Sequence, residues 1–267
     1  MNKVALITGG SGGIGRAISI KLAQEGYYKE FNQLMNEYKE LLDVGDQKAA
    51  DEKMTQALKM DDKRFELTRN FVKQHPDNMY SAYISGIVKE ESYEKGKELY
   101  DLLTPKIQAS FYGRLLKQQT EALAVSALGV PCPDFTATDE SGNKVSMASQ
   151  KGGIMVLDFW ASWCGPCRAE NVNLIKIYKR YRPKGLEIIS VSIDDNRQAW
   201  LSAIGQDGSD WKNVSDLKGG QSEIATAYSV KGIPCTFILD GENRIVAKNL
   251  RGKDLEKKID EMLKKKK

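Results

Sequence analysis

Two cysteines separated by two residues are the part of this sequence with the clearest chemical potential. Cys164 and Cys167 form a C-x-x-C motif, with glycine and proline between them. Four cysteines in 267 residues are too few to hold a chain of this length together with disulfides, so the spacing indicates a redox pair or half of a metal site. The corresponding chemistry is thiol–disulfide exchange in the first case and zinc binding in the second.

The motif lies where a buried strand is predicted to turn into a helix. Residues 154–160 are nearly all apolar, as expected of a central strand buried on both faces, and a helix is predicted from about residue 166 to 181. Cys164 is therefore expected at a helix N-terminus, where unpaired N–H groups and the helix dipole stabilise a thiolate and lower its pKa. Cys167, one turn further on, would resolve the mixed disulfide that Cys164 forms with a substrate.

Zinc binding and inert core thiols are the alternatives for this pair. The other cysteines, Cys132 and Cys235, stand singly and do not supply the second ligand pair of a zinc site, so no metal site is predicted. Cys132 is interpreted as a linker residue, reactive only if exposed, and Cys235 as a small strand residue. The alternatives for Cys235 are a peroxidation-sensitive bystander and a third exchange partner. His75, the single histidine, precedes Pro76 and is interpreted as a helix cap.

The residues around the motif resemble the thioredoxin family, in its TlpA/ResA-like bacterial branch. The likeness is carried by the stretch from Asp158 to Cys167, Asp-Phe-Trp-Ala-Ser-Trp-Cys-Gly-Pro-Cys, and by Pro133-Asp134-Phe135 ahead of it. Glu170, Gly232-Ile233-Pro234 and Leu250-Arg251-Gly252 follow in the order and spacing of that branch. The resemblance covers about residues 130–263. It implies an α/β, thioredoxin-like fold in which a mixed central sheet is flanked by helices.

The resemblance also implies roles for single residues. Pro234 matches the family's cis-proline, which packs beside the disulfide and fixes the backbone with which a substrate pairs. Asp158 matches a buried carboxylate that handles the proton of the second cysteine, and burial should raise its pKa. Glu170 matches an acidic residue that tunes the cysteine pair, although an exposed glutamate in the first turns of a helix is its other interpretation. Trp163, directly before Cys164, completes the predicted site. A redox-active disulfide between the two cysteines is expected, with no other cofactor.

One position departs from the family pattern. The family usually has a helix-kinking proline five residues after the second cysteine, where this chain has Val172. A straighter helix is therefore expected, with an effect on redox potential rather than on the type of reaction.

A glycine-rich segment near the N-terminus suggests a different chemistry. Residues 8–15 follow a predicted strand and resemble the nucleotide fingerprint of short-chain dehydrogenases, with Gly9, Gly13 and Gly15 as candidate phosphate-binding positions. The second strand that should carry the ribose-binding residue is missing, because residues 32–37 are patterned as a helix.

A Tyr-x-x-x-Lys pair of the kind used by those dehydrogenases occurs further along the chain. Tyr93 and Lys97 form it, with Ser81 upstream, but the surrounding sequence is helical and leaves no room for the intervening strands. NAD(P)-dependent dehydrogenase-type nucleotide binding is therefore retained only as an alternative function.

Three segments are predicted along the chain: a Rossmann-like βα fragment at 1–27, an α-helical region at 28–129 and the thioredoxin-like domain at 130–267. Helices in the middle region are expected at Tyr80 to Val88, Tyr93 to Leu103 and Ile107 to Leu128. In the last segment, strands are expected at 154–160, 186–193, 236–240 and 244–248, with helices near 166–181, 197–204, 223–228 and 253–263.

The predicted function is thiol–disulfide exchange on protein disulfides, and the Gly-Pro pair between the cysteines resembles reducing members of the family. A peptide-binding module with an idle redox site is an alternative. The partners would be protein substrates with thiols or disulfides and an upstream electron donor. A net charge of +4 is too small to indicate nucleic acid, and no stretch predicts a membrane span. The resemblance implies the periplasm or cell envelope, whereas no export signal is recognised, which as written would leave the protein in the cytoplasm.

Overall fold

The computed structural model describes most of the chain, as two compact units of which one ends at Glu121 and the other begins at Ala122. The described residues are 26, 29–41, 43–88, 92–150 and 153–265. The glycine-rich segment, with Gly9, Gly13 and Gly15, lies outside them. The βα fragment and its nucleotide site therefore stay predictions.

The first unit consists of helices in its described residues. They are α1 (29–41), α2 (Gln47–Gln74), α3 (Met79–Val88), α4 (Tyr93–Asp101), α5 (Pro105–Gln108) and α6 (Phe111–Glu121). Apolar side chains from α2 to α6 and the adjoining turn form one buried cluster: Phe65, Val72, Ala82, Val88, Leu99, Leu103, Ile107 and Leu116. The predicted helical region is confirmed. The end of α2 is also as predicted, because the N–H of His75 caps it by bonding the Phe71 carbonyl at 2.9 Å.

The single helix predicted from Ile107 to Leu128 is wrong. The chain breaks after α5, and Ser110 begins α6 by accepting the N–H of Gly113 on its Oγ at 3.2 Å. Serine favours such a cap because its hydroxyl bonds nearby backbone groups in competition with the helix. The turn is so tight that a Cβ added to Gly113 would lie 2.1 Å from the Ile107 carbonyl oxygen.

The second unit is built on a seven-stranded mixed sheet with the order β2-β1-β5-β4-β3-β6-β7. The strands are β1 (Thr136–Asp139), β2 (Lys144–Ser146), β3 (Ile154–Trp160), β4 (Leu186–Ser192), β5 (Lys212–Ser215), β6 (Cys235–Leu239) and β7 (Ile245–Lys248). The three central strands β3, β4 and β5 are parallel, and the other pairings are antiparallel. The mixed sheet predicted from the sequence is therefore confirmed.

Helices and apolar side chains cover both faces of this sheet. The helices are α7 (Gly165–Tyr181), α8 (Arg197–Asp207), α9 (Glu223–Ala227) and α10 (Gly252–Lys265). Every residue of β3 is buried. Val156 packs in a cluster with residues of α7 and α10, whereas its neighbour Leu157 packs in the cluster that contains Tyr228. Successive side chains of a strand point to opposite faces, so β3 contributes to both layers of the core.

Three strands were not predicted. β1, β2 and β5 are short and carry polar residues, and they lie together on one side of the sheet. Their pairing joins distant parts of the chain, since Thr138 of β1 lies opposite Ser215 of β5. Strand formation at such positions depends on neighbours across the sheet more than on local propensity.

The segment ahead of β1 is part of the second unit and packs against its core, so the interpretation of Cys132 as a linker residue is wrong. The N–H of Cys132 donates to the Asn243 carbonyl at 2.8 Å, and its half-buried side chain packs against the main core cluster. Burial raises the pKa of the Cys132 thiol. Next to it, the hydroxyl of the buried Tyr228 donates to the Pro133 carbonyl at 2.6 Å.

We expect Tyr228→Phe to lower the free energy of unfolding of the second unit by about 1–2 kcal/mol, because the Pro133 carbonyl loses its hydrogen-bond donor. Urea unfolding followed by tryptophan fluorescence measures this unit alone, because all four tryptophans lie in it. Tyr181→Phe is the matched control, since that hydroxyl reaches Glu256 only at 3.4 Å. An equal loss in both variants would contradict the anchoring of this segment by Tyr228.

Candidate active site

The two cysteines of the motif form a disulfide at the junction of β3 and α7. Their sulfur atoms are 2.00 Å apart and their Cα atoms 5.3 Å apart. Cys164 is the N-cap of α7, and its Sγ accepts the N–H of Cys167 at 3.2 Å. Cys164 is 5% exposed and Cys167 2%. The sulfur of Cys164 therefore lies at the positive end of the helix dipole and is the more accessible of the two.

Tryptophan side chains surround the disulfide. Trp163, directly before Cys164, is 67% exposed. Trp160 and Trp200 are buried in one cluster with both cysteines. The exposed indole therefore presents apolar surface next to the disulfide along the chain.

The loop between β3 and the disulfide is held from two sides at Ser162. The buried carboxylate of Asp194, which follows β4, accepts the Ser162 N–H at 2.9 Å and its hydroxyl at 2.6 Å. From the other side, Arg168 donates to the Ser162 carbonyl at 3.2 Å while its Nε pairs with Asp207. Ser162 precedes Cys164 by two residues, so these contacts fix the approach of the chain to the reactive sulfur.

A buried carboxyl group, Asp158, lies on the sheet face that α7 and α10 cover. It is 2% exposed and accepts the Ser190 hydroxyl at 3.1 Å, and Ser190 in turn accepts the Trp211 indole N–H at 2.9 Å. Burial raises the pKa of Asp158 to about 7. The charge of Glu170 adds to this increase in pKa, whereas the Ser190 hydrogen bond and the charge of Arg251 oppose it. A carboxyl group with a pKa near neutrality is suited to accept and return a proton.

Glu170 lies in the same buried region, so its interpretation as an exposed glutamate is wrong. It is 9% exposed. Its Oε1 accepts the N–H of Gly252 at 2.8 Å, and its Oε2 accepts the side-chain amide of Asn173 at 3.1 Å. α7 therefore carries the disulfide at its first turn and a second carboxylate one turn later, directed towards the start of α10.

Pro234 lies in the loop that leads into β6. The Ile233–Pro234 peptide bond is cis. Ile233 packs against the cluster that contains the disulfide, and Cys235, the first residue of β6, is buried opposite Phe159 of β3. The structure thus places this loop beside the cysteine pair.

The other positions singled out from the sequence do not contribute to the site around the disulfide. α7 runs without interruption through Val172, which is exposed. Tyr93 and Lys97 lie in α4 of the helical unit, where Lys97 pairs with Asp101 at 2.5 Å. Within the described ranges, no three His, Cys, Asp or Glu side chains lie close enough together to hold a metal ion.

Four residues of this site have no role assigned by the sequence reasoning: Arg168, Ser190, Asp194 and Arg251. Ser190 was visible as a polar residue within an apolar strand, and Asp194 as an acidic residue after a strand, but no local pattern joins either to its partner 32 residues away. Arg251 was visible only as part of a resembling motif. The assigned roles of Cys164, Cys167, Asp158, Glu170, Pro234 and Trp163 stay predictions.

Comparisons with known proteins place this geometry among redox enzymes. Residues 128–248 match the AhpC/TSA family. The chain is 31% identical over 138 residues to thiol-disulfide oxidoreductase ResA of Bacillus thuringiensis subsp. konkukian, covering 52% of this chain and 78% of that protein. It is 30% identical over 144 residues to ResA of Geobacillus kaustophilus, covering 53% and 80%.

A solved structure is similar in both sequence and fold. It is the C-terminal domain of a candidate thiol-disulfide oxidoreductase from Bacteroides thetaiotaomicron, with a TM-score of 0.51 and 35% identity over 53% of this chain and 99% of that domain. The thioredoxin-like fold predicted for the second unit is confirmed.

We expect Asp158→Asn to stabilise the oxidised protein above neutral pH. In the folded state Asp158 keeps its proton to about pH 7, whereas in the unfolded chain it ionises near pH 3.9, so the wild type loses stability as pH rises between these values. The variant should therefore gain roughly 2–4 kcal/mol over wild type at pH 8 and almost nothing at pH 4. Urea unfolding at both values measures the gain. The exposed Asp195→Asn is the control, and an equal gain at both pH values would exclude a raised pKa.

Proposed function

Because this chain belongs to the ResA-like family of thiol-disulfide oxidoreductases, we propose that it reduces disulfide bonds in protein substrates through Cys164 and Cys167. The observation that carries the proposal is the position of the Cys164 sulfur at the N-cap of α7, where it accepts the N–H of Cys167. The buried carboxyl of Asp158, with its pKa raised to about 7, lies on the sheet face that the same helix covers.

The first step starts from the reduced pair. The Cys164 thiolate, stabilised by the N-terminus of α7, attacks one sulfur of the substrate disulfide. The substrate S–S bond breaks, a mixed disulfide forms, and the leaving sulfur departs as a thiolate that takes a proton. Trp163 supplies apolar contact for the substrate chain beside the reacting sulfur.

The second step closes the disulfide that the structure contains. Cys167 gives its proton to the Asp158 carboxylate and attacks the Cys164 sulfur, which breaks the mixed disulfide and releases the second substrate sulfur. Two electrons have then passed from the cysteine pair to the substrate. The first substrate thiolate takes its proton from water, and Asp158 returns the proton of Cys167 to the second substrate thiolate. Because the pKa of Asp158 is about 7, a large fraction of it is ionised at neutral pH and ready to accept the proton.

An extended substrate segment would pair with the backbone of the loop at Pro234. This loop precedes β6 at the edge of the disulfide cluster. Main-chain hydrogen bonds of this kind give affinity without requiring one sequence, as suits an enzyme that acts on several proteins.

The cycle requires an upstream electron donor that returns the Cys164–Cys167 disulfide to two thiols. We place the reaction in the periplasm or cell envelope, on the basis of the family resemblance. In the described part of the chain, no helix has both the length and the apolar character needed to cross a membrane.

We expect Cys164→Ser to lose insulin reduction with dithiothreitol almost completely, because the attacking sulfur is gone. Cys167→Ser keeps that sulfur but lacks the resolving one, so after prior reduction and removal of dithiothreitol it should accumulate a mixed disulfide with insulin, which is visible by non-reducing electrophoresis. Cys235→Ser, which leaves the pair intact, is the control. A Cys164→Ser variant as active as wild type would show that another residue is the nucleophile.

We expect the redox potential of the pair to be below about −220 mV, closer to thioredoxin at about −270 mV than to the oxidant DsbA at about −120 mV. Equilibration in redox buffers followed by alkylation and mass analysis measures it. A Cys132→Ala/Cys235→Ala background restricts the readout to the Cys164–Cys167 pair. A potential above about −150 mV would instead indicate an oxidase.

A further inference from the structure

Arg251 joins the loop at Pro234 to the start of α10. Its side chain is half-buried, and its Nη2 donates to the Pro234 carbonyl at 2.7 Å. Because Pro234 directly precedes β6, this hydrogen bond holds the backbone at the point where a substrate strand would be received. No other hydrogen bond within the described residues ties the Pro234 carbonyl.

The segment around Arg251 also contacts the buried Glu170 and the strand next to Asp158. The next residue, Gly252, gives its N–H to Glu170 at 2.8 Å. The preceding residue, Leu250, accepts the hydroxyl of Thr236 at 2.9 Å, and Thr236 lies opposite Asp158 in the sheet. Three consecutive residues therefore contact β6, which pairs with the strand of Asp158, the loop at Pro234 and Glu170 of α7.

The charges that act on Asp158 come from two elements. Glu170 of α7 disfavours the ionised form of Asp158, and Arg251 favours it. β4 and β6 present Ser190 and Thr236 to Asp158, and neither carries a charge. In the part of the chain that the structure describes, Arg251 is the cation whose charge lowers the pKa of Asp158.

The arginine is not placed to satisfy all of its own hydrogen bonds. Its Nε is buried without a hydrogen-bond partner among the described residues. Leaving a buried N–H of a charged group unpaired costs free energy. A neutral side chain could fasten α10 to the sheet without this cost in free energy.

We propose that Arg251 is a positioning residue that serves both halves of the reaction, fixing the Pro234 carbonyl for the substrate and holding a positive charge near the Asp158 carboxyl group. The proposal rests on the function given above. It adds a residue that couples the substrate-pairing loop to the proton-accepting carboxylate. The Arg251 guanidinium contacts the loop at Pro234 and stabilises the ionised form of Asp158.

Three substitutions in the full chain separate charge from hydrogen bonding. Arg251→Lys keeps a charge and a donor, Arg251→Gln keeps a donor without a charge, and Arg251→Met keeps neither. Arg244→Met is the matched control, because Arg244 also donates to a backbone carbonyl, that of Gly129 at 3.2 Å, and lies outside the site.

The first measurement is the titration midpoint of the Asp158 carboxyl carbon in the oxidised protein, followed by NMR. Arg251→Gln should raise this midpoint by about half a pH unit or more, since a nearby cation is lost, whereas Arg251→Lys and Arg244→Met should leave it near the wild-type value. Equal midpoints in the Gln and Lys variants would overturn the electrostatic half of the proposal. This readout requires no activity, so it stands even if the proposed function fails.

The second measurement is KM and kcat for reduction of a dye-quenched peptide disulfide with dithiothreitol. Arg251→Met should raise KM about fivefold or more relative to Arg251→Gln, because only the Met variant loses the donor to Pro234. Equal KM values for these two variants would overturn the loop-positioning half. If Arg251→Met does not fold, Arg251→Ala, which also lacks the donor, takes its place in the comparison with Arg251→Gln, and the same outcomes decide. Wild type without any turnover would refute the proposed function and leave the midpoint comparison to decide on Arg251.

Discussion

The N-terminus of α7 is the feature on which the rest of the site depends, because a sulfur atom occupies the position where a helix usually has a capping oxygen. Cys164 has extended backbone angles, and its sulfur accepts the N–H of Cys167. Pro166 lies in the first turn, where its missing N–H removes a donor that would otherwise need a partner. The same hydrogen-bonding rule that lets a helix begin at Cys164 thus stabilises the charge on which its reactivity depends.

The buried Asp158 lowers the stability of the folded sheet when its carboxyl group is ionised. Its raised pKa means that the ionised form is disfavoured inside the protein, so an uncharged side chain of the same shape would make a more stable strand. The register of β3 and β4 limits this loss of stability, because it supplies a hydrogen-bond donor to Asp158. β3 and β4 are parallel with Asp158 directly opposite Ser190, and Ser190 is itself oriented by the Trp211 indole. Retaining a titratable group where the fold would be more stable without it is typical of functional sites.

The parts of the molecule that could be predicted from sequence are those specified by local pattern. β3 is an apolar run interrupted only by Asp158, and α7 begins at a proline-containing turn, so both were found with nearly correct bounds. The roles suggested for Asp158, Glu170 and Pro234 came from family resemblance. The strands and contacts that were not predicted depend on residues far apart in the sequence. β1 and β5 become strands because they pair with each other across the chain. The contact of Asp194 with Ser162 follows from the parallel alignment of β3 and β4, which no local pattern of residues reveals.

The direction of the strands explains why groups from four parts of the chain meet at one edge of the sheet. β3 and β4 are parallel, so their carboxyl ends, at Trp160 and Ser192, lie side by side, and the chain leaves them towards the disulfide and towards Asp194. β6 is antiparallel to β3, so its amino end lies at this same edge and brings Pro234 with it. If β6 ran parallel, Pro234 would lie at the opposite edge, a full strand length from the sulfur atoms. The reversal of one strand is therefore what allows the disulfide that follows β3 to lie beside the loop that precedes β6. The chain after β7 then supplies Arg251, which donates to the Pro234 carbonyl of that loop.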